Sequence, residues 1–247
     1  MAGDRLEGIM TNLFRAFSAV ALIILSWAGL SPATLITSSA GFQNPVVIDF
    51  SQYSGCSFAS QGCAPPLNVG GLVGEVVTFT GTPGFLGASA YNAFFGLDAN
   101  GFWDNARNGF IGINNGQGGA GIFARFTFAA GLVSAVGAFE NYSPGNGGTP
   151  LVRALGINGN ILEQYDLSAL APISTPGGLN QGTFRGILRP TPDIAAIEFS
   201  DGFQALDNLT FSHSSIAKIP EPSSLLLMLL GFICILRRFA NSDDLNN

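Results

Sequence analysis

The sequence predicts an all-β fold: a single antiparallel β-sandwich of jelly-roll type, set between two apolar terminal segments. Three observations predict it. Charged residues make up only 11% of the 247, against 33 glycines and 21 phenylalanines, a composition that suits a glycine-turned β core better than a helical bundle. Apolar and polar residues alternate with period two in short runs, and stretches rich in Gly, Asn and Pro separate those runs. No segment of helical period and useful length lies between the two ends.

Residues 1–40 are expected to be a signal peptide. Arg15 precedes the apolar run Ala16 to Leu30, and Ser38 and Ala40 are the small residues that signal peptidase requires, which places the cut between Ala40 and Gly41. The run is short for a membrane span, which favours removal over retention as an anchor. Asp4 and Glu7 are out of place in a leader, so Met10 is an alternative start that leaves a cleaner positive beginning.

Residues 41–215 then form the exported domain. Its first alternating run is Val46, Ile48 and Phe50; a second sets Ile122, Ala124, Phe126 and Phe128 against Phe123, Arg125 and Thr127. The stretch from Leu151 to Leu167 reads as a hairpin turning at Asn158-Gly159, the dipeptide best suited to a type I′ turn. Three more strands are expected around Thr183–Arg189, Asp193–Ser200 and Gln204–Ser212. The spelling Gly-Gln-Gly-Gly-Ala-Gly at 116–121 matches a dinucleotide-binding pattern, but a run of bulky strand residues follows it where that motif requires a helix. It is read as a loop.

Cys56 and Cys63 are close together in the exported region, and an oxidising compartment predicts a disulfide between them. Cys234 is read as a small apolar residue of the C-terminal run. Ten Lys and Arg against 16 Asp and Glu give a net charge of -6, which excludes a nucleic-acid binder built on phosphate neutralisation. The one histidine, His213, has no triad signature around it, so the chain is expected not to be an enzyme. A hydrolase would need a convergent acid pair that the sequence does not single out. Trp103, with Asp104, Asn105 and Arg107 in a turn-rich stretch, has the ingredients of a sugar-binding platform; the competing reading is that Trp103 fills a core.

Residues 216–247 carry the most specific pattern. Pro220-Glu221-Pro222 precedes the apolar run Ser223 to Leu236, and Arg237 and Arg238 follow at once. Fourteen residues of helix cover about 21 Å. That is short of a ~30 Å hydrocarbon core, but the prolines fix the start of the helix and the arginines reach headgroups at its end. A transmembrane helix is expected over about 223–240. This arrangement resembles the PEP-CTERM sorting signal. The resemblance implies export through a signal peptide and recognition by an exosortase, a membrane-embedded transpeptidase, with Pro220, Glu221 and Pro222 as processing motif and Arg237 and Arg238 as basic stop. It also implies an association with exopolysaccharide and biofilm. The extension after Arg238 departs from the family's usual ending.

The closing strands, from Phe184 to Phe211, also resemble the last strands of jelly-roll carbohydrate-binding domains. Such domains often hold a structural calcium with acids from the first and last strands, which here offers Asp49 and Asp207. By simple alternation Asp207 shares a face with Ala205, Leu209 and Phe211, where an unpaired carboxylate is costly. Either a Ca²⁺ ion or bonds to backbone or arginine would offset that cost. The expected function is therefore an exported, exosortase-processed surface or matrix protein with a structural or adhesive sandwich. The alternative is a calcium-stabilised carbohydrate-binding module, and an anchored hydrolase comes third. The expected partners are signal peptidase, exosortase, the membrane before processing, and extracellular polysaccharide.

Overall fold

The computed structural model describes residues 34–53, 65–82, 84–86, 95–103, 109–113, 121–145 and 148–214. The chain divides into two compact units, Met1–Ser215 and Ile216–Asn247. The second lies outside the described residues. So do Cys56, Cys63, Asp104, Asn105, Arg107, Pro220, Glu221, Pro222, Arg237, Arg238 and the expected helix over 223–240. Among the described residues, no helix is long and apolar enough to cross a membrane.

The fold is an antiparallel β-sandwich. One sheet runs in the order β1 (Thr34–Ile36), β14 (Thr183–Leu188), β10 (Ala135–Tyr142), β16 (Gln204–Ser212), β8 (Ile111–Ile113), β5 (Gly84–Leu86). The far edge of β16 is shared: β8 pairs with Gln204 to Leu206, and β2 (Val46–Ile48) pairs with Leu209 to Phe211. The other sheet runs β12 (Ile161–Asp166), β11 (Leu151–Leu155), β15 (Ala196–Ser200), β9 (Phe123–Phe128), β4 (Val77–Thr82), β3 (Leu67–Asn68). From β8 onward the chain crosses repeatedly from sheet to sheet, as jelly rolls do. A small third sheet joins β6 (Phe95–Gly96), β7 (Phe102–Trp103) and β13 (Leu179–Asn180), with β13 and β7 parallel.

The period-two reading holds where it is clearest. In β9, Ala124, Phe126 and Phe128 are buried, while Phe123, Arg125 and Thr127 are half-buried on the other face. Inside the sandwich Phe126 stacks on Phe50 at 5.9 Å and lies 5.5 Å from Phe79, and Phe128 meets Phe211 at 4.9 Å. Such aromatic pairs add to area burial that already stabilises the core by about 25 cal/mol per Å². Gly121 leads directly into β9 and not into a helix, as the loop reading of that glycine run requires.

Three sequence expectations need correction. The β11–β12 hairpin forms, but not on a type I′ turn: Gly159 has φ +75 while Asn158 is not among the positive-φ residues. Gly159 N donates to Gly156 O at 2.8 Å, so Ile157 and Asn158 are the centre of a right-handed turn and Gly159 is the left-handed residue after it. A short helix, α1 (Leu167–Leu170), follows β12, capped by Asp166, whose side chain accepts from Ala169 N at 3.1 Å. Second, the sandwich begins before Gly41. Thr34, Leu35 and Ile36 pair with Leu188, Ile187 and Gly186, so a cut after Ala40 would remove an edge strand. Third, β16 does not alternate cleanly. Between Gly137 and Phe139 of β10 its register shifts by one residue, and Asn208 takes φ +51. This bulge reverses the parity: Leu206, Leu209 and Phe211 all face the main core, whereas Ala205 belongs to a second cluster on the outer face with Leu97, Trp103 and Phe110.

Candidate functional site

The bulge decides where Asp207 points. It lies opposite Phe139 on the outer face of the sheet, not among Leu209 and Phe211. Its Oδ1 accepts from Asn208 N at 2.6 Å, the local bond that steadies the left-handed bulge residue. Asp49 follows β2 on the same side, and its Oδ1 accepts from Ser51 N at 3.1 Å. Asp49 and Asp207 thus share one side of the sheet, near enough for the Asp49 charge to act on Asp207. Burial pushes the Asp207 carboxyl up to about 7, and the nearby Asp49 adds to the rise against the lowering effect of the Asn208 bond. Two carboxylates on one side of a sheet suit a hard cation, but Ca²⁺ takes six to eight oxygens. Among the described residues no three His, Cys, Asp or Glu side chains gather, so a cation here would complete its shell with carbonyls or water.

Trp103 is not a platform. Its side chain is 1% exposed and its ring lies 6.0 Å from Phe110 in the outer cluster. Burial of this ring holds β7 against the sheet instead of offering a face to a sugar.

Next to Trp103, a set of amides clasps the third sheet to the sandwich. Asn100 Nδ2 donates to Asn141 Oδ1 at 3.0 Å, to Tyr142 O at 2.8 Å and to Ile173 O at 3.2 Å. Asn141 Nδ2 donates to Thr175 Oγ1 at 2.8 Å and to Asn180 Oδ1 at 2.6 Å. Thr175 returns its amide N–H to Asn100 Oδ1 at 3.1 Å and its hydroxyl to Asn100 O at 2.9 Å. Each amide here has both its donor and acceptor side engaged, which is what buried polar side chains need.

Under the same clasp, on the inner face of β10, lies Glu140. It is 0% exposed between core residues Ala138 and Tyr142. Among the described residues neither carboxyl oxygen has a hydrogen-bond partner, and Thr183 Oγ1 and Gln204 Oε1 are also sealed without one. Burial pushes the Glu140 carboxyl up to about 8, with the nearby Arg185 pulling the other way. Arg185 donates its Nε to Ala171 O at 2.8 Å, Nη1 to Phe184 O at 2.8 Å and Nη2 to Pro172 O at 3.1 Å.

On the outer face of the second sheet, Glu198 is 4% exposed between two arginines. Arg125 Nη2 reaches its Oε2 at 2.5 Å and Arg153 Nη1 its Oε1 at 2.8 Å. Cross-strand register sets this row: Arg125 and Arg153 both stand directly opposite Glu198. Sequence reasoning missed Glu140, the clasp asparagines and this row. The signal for Glu140 was present, since Val136, Ala138, Glu140 and Tyr142 alternate in the same way that drew attention to Asp207.

No family model matches the sequence, and no curated protein matches it. Among solved structures the chain resembles the enzymatically active domain of tailspike protein 4 from bacteriophage CBA120, at 17% identity and a TM-score of 0.25, over 63% of this chain and 21% of that one. The chain thus spans about a fifth of that structure's length. The expectation that the chain is not an enzyme stands against this neighbour, which is described as an enzymatically active domain, and it is not carried further. At this TM-score the likeness carries no argument about what this chain does.

Proposed function

We propose that this chain is an exported, exosortase-processed protein of the cell surface or extracellular matrix, whose β-sandwich acts by structure or adhesion among exopolysaccharides. The observation that carries the proposal is the tail: Pro220-Glu221-Pro222, an apolar run, then Arg237-Arg238. Residues of this kind in this order suit a segment held briefly in a membrane and cut beside it. A sandwich with a dense aromatic core and paired surface charges is suited to persisting outside the cell. In this reading signal peptidase handles the N-terminus, exosortase handles the tail, and the membrane and an extracellular polysaccharide are successive partners.

The test is the C-terminal peptide of the mature protein, by mass spectrometry, in an exosortase-bearing host and in one lacking the enzyme. Loss of Arg237-Arg238 only where exosortase is present supports the proposal. An intact tail in both hosts, or recovery from the cytosol with both apolar ends, overturns it.

The pair Asp49 and Asp207 on one side of the sheet favours a second reading, a calcium-stabilised carbohydrate-binding module. A cation there would offset the burial that raises the Asp207 carboxyl and the smaller repulsion from Asp49. An unchanged melting temperature on adding calcium or chelator removes the metal from this reading.

A further inference from the structure

One group of polar atoms inside the sandwich serves neither the sorting nor the ligand reading. Four sealed oxygens, Glu140 Oε1 and Oε2, Thr183 Oγ1 and Gln204 Oε1, have no hydrogen-bond partner among the described residues. They sit on three adjacent strands of one sheet. Thr183 is directly across from Glu140, and Gln204 is across from Tyr142, one step along the same face. With Glu140 ionised, the group holds three bare acceptors and a single donor, the Thr183 hydroxyl. A proton on Glu140 removes the charge and turns one of these acceptors into a donor, so the imbalance falls. A buried acceptor left bare costs about 1–3 kcal/mol, so the neutral form is the one this environment selects.

Beside Glu140 runs the strap formed by residues 171–182, whose last residue precedes Thr183, the cross-strand partner of Glu140. Arg185 holds its first residues through Ala171 O and Pro172 O. Tyr142 Oη accepts from Ile173 N at 3.1 Å, and Thr175 and Asn180 are held by the amide clasp. At its far end Gly182 has φ +66, and a Cβ there would sit 2.1 Å from the carbonyl oxygen of Glu140 itself. The end of the strap is therefore packed against the main chain of Glu140. The strap contains no titratable side chain. Arg185 is the charged group facing Glu140 from β14, β16 presents the neutral Gln204 and Leu206, Tyr142 is the neighbour on β10, and the opposite sheet turns apolar residues such as Val152, Ile197 and Phe199 inward.

We infer that Glu140 is a proton-held latch beside the 171–182 strap: its carboxyl is uncharged while the strap is closed and ionises on meeting water when the strap lifts, so acid tightens the strap and rising pH loosens it. The closed-state value of about 8 lies above the ordinary 4.5. Linkage then makes strap opening increase about tenfold per pH unit between those two values and level off above the higher one. The ionised carboxylate also competes with the strap carbonyls for the Arg185 guanidinium, which gives the loosening a structural route.

The experiment is hydrogen–deuterium exchange of the full chain in detergent, followed by mass spectrometry, across this pH range and corrected for intrinsic exchange. Wild-type peptides covering 171–182 should lose protection with the stated slope, while those covering β9 change less. Glu140→Gln keeps a donor and an acceptor but cannot titrate, so its strap should show no slope. Equal slopes in the two proteins, or no slope in the wild type, overturn the inference. Should Glu140→Gln fail to fold, infrared spectra of Asp207→Asn, which lacks the other raised acid, decide the matter. A protonated-carboxyl stretch that persists at neutral pH and fades as the strap loosens supports the latch, and its absence at neutral pH overturns it.

Discussion

Arg185 and Glu140 face the same interior from neighbouring strands, close enough to influence each other's proton affinity, yet no ion pair joins them among the described residues. The guanidinium spends its hydrogen bonds on the carbonyls of Ala171, Pro172 and Phe184. Burial lowers the proton affinity of Arg185 and raises that of Glu140, so each group drifts toward its neutral form for want of water. The arginine is compensated by three carbonyl dipoles. Glu140 has no comparable set of donors, and protonation is its cheaper solution.

That asymmetry predicts the pH dependence of stability. A carboxyl whose folded value lies above its unfolded one contributes fully in acid and loses its contribution as pH rises, here from about 4.5 toward about 8. Asp207 adds a loss of the same sign between 3.8 and about 7. Full ionisation of Glu140 would cost roughly 5 kcal/mol as an upper bound. Urea midpoints measured from mildly acid to mildly alkaline solution should fall steadily in the wild type. In Glu140→Gln only the smaller, earlier fall from Asp207 should remain.

Asn100 is the hub of the clasp, bonded to Asn141, Tyr142, Ile173 and Thr175. Asn100→Ala leaves the Asn141 Oδ1, two backbone carbonyls and the Thr175 N–H short of a partner in a buried place. The expected loss is about 3 kcal/mol, read as a lower urea midpoint. Asn100→Asp is expected to be no better, because it keeps acceptors and discards the donors that three of these groups need.

Glu198 carries the charge balance of its sheet's outer face. Glu198→Ala would leave Arg125 and Arg153 facing each other, and Glu198→Gln keeps an acceptor for one of them while turning its amide N–H groups toward the other. Removing the acid should cost about 2 kcal/mol, less than a fully buried pair because the Arg125 side chain is 40% exposed. High salt should soften the Ala variant's defect by screening the two arginines. A defect independent of salt would mean that packing around Glu198, not its charge, holds the row.

The fold was legible because its signal is local. β9 reads correctly from Ala124, Phe126 and Phe128 alone, since one face is buried and the other is not. What the sequence does not display is a register shift. Asn208 looks like any strand residue, but one left-handed conformation there turns Asp207 outward and Leu209 inward. Trp103 was ambiguous for a related reason: its partner Ala205 comes from a distant part of the chain, and only the tertiary arrangement makes it core. The clasp has no sequence signature at all, because Asn100 in a short turn, Asn141 near the end of β10 and Asn180 in β13 are ordinary asparagines until the fold brings them together.

The placement of β1 bears on how the N-terminus is processed. Thr34 to Ile36 pair with β14 along the edge of the sheet, and Leu35 packs against the main core. Cutting between Ala40 and Gly41 would strip this strand and leave the polar backbone edge of β14 open to pairing with other chains. Ser31 and Ala33 are also small residues at the spacing signal peptidase needs, and a cut after Ala33 would leave the strand whole. N-terminal sequencing of the exported protein should therefore find Thr34 or an earlier residue first. A mature chain beginning at Gly41 would mean that β1 is discarded on export. The exported protein should then associate at low concentration through the bared edge, which analytical ultracentrifugation would detect.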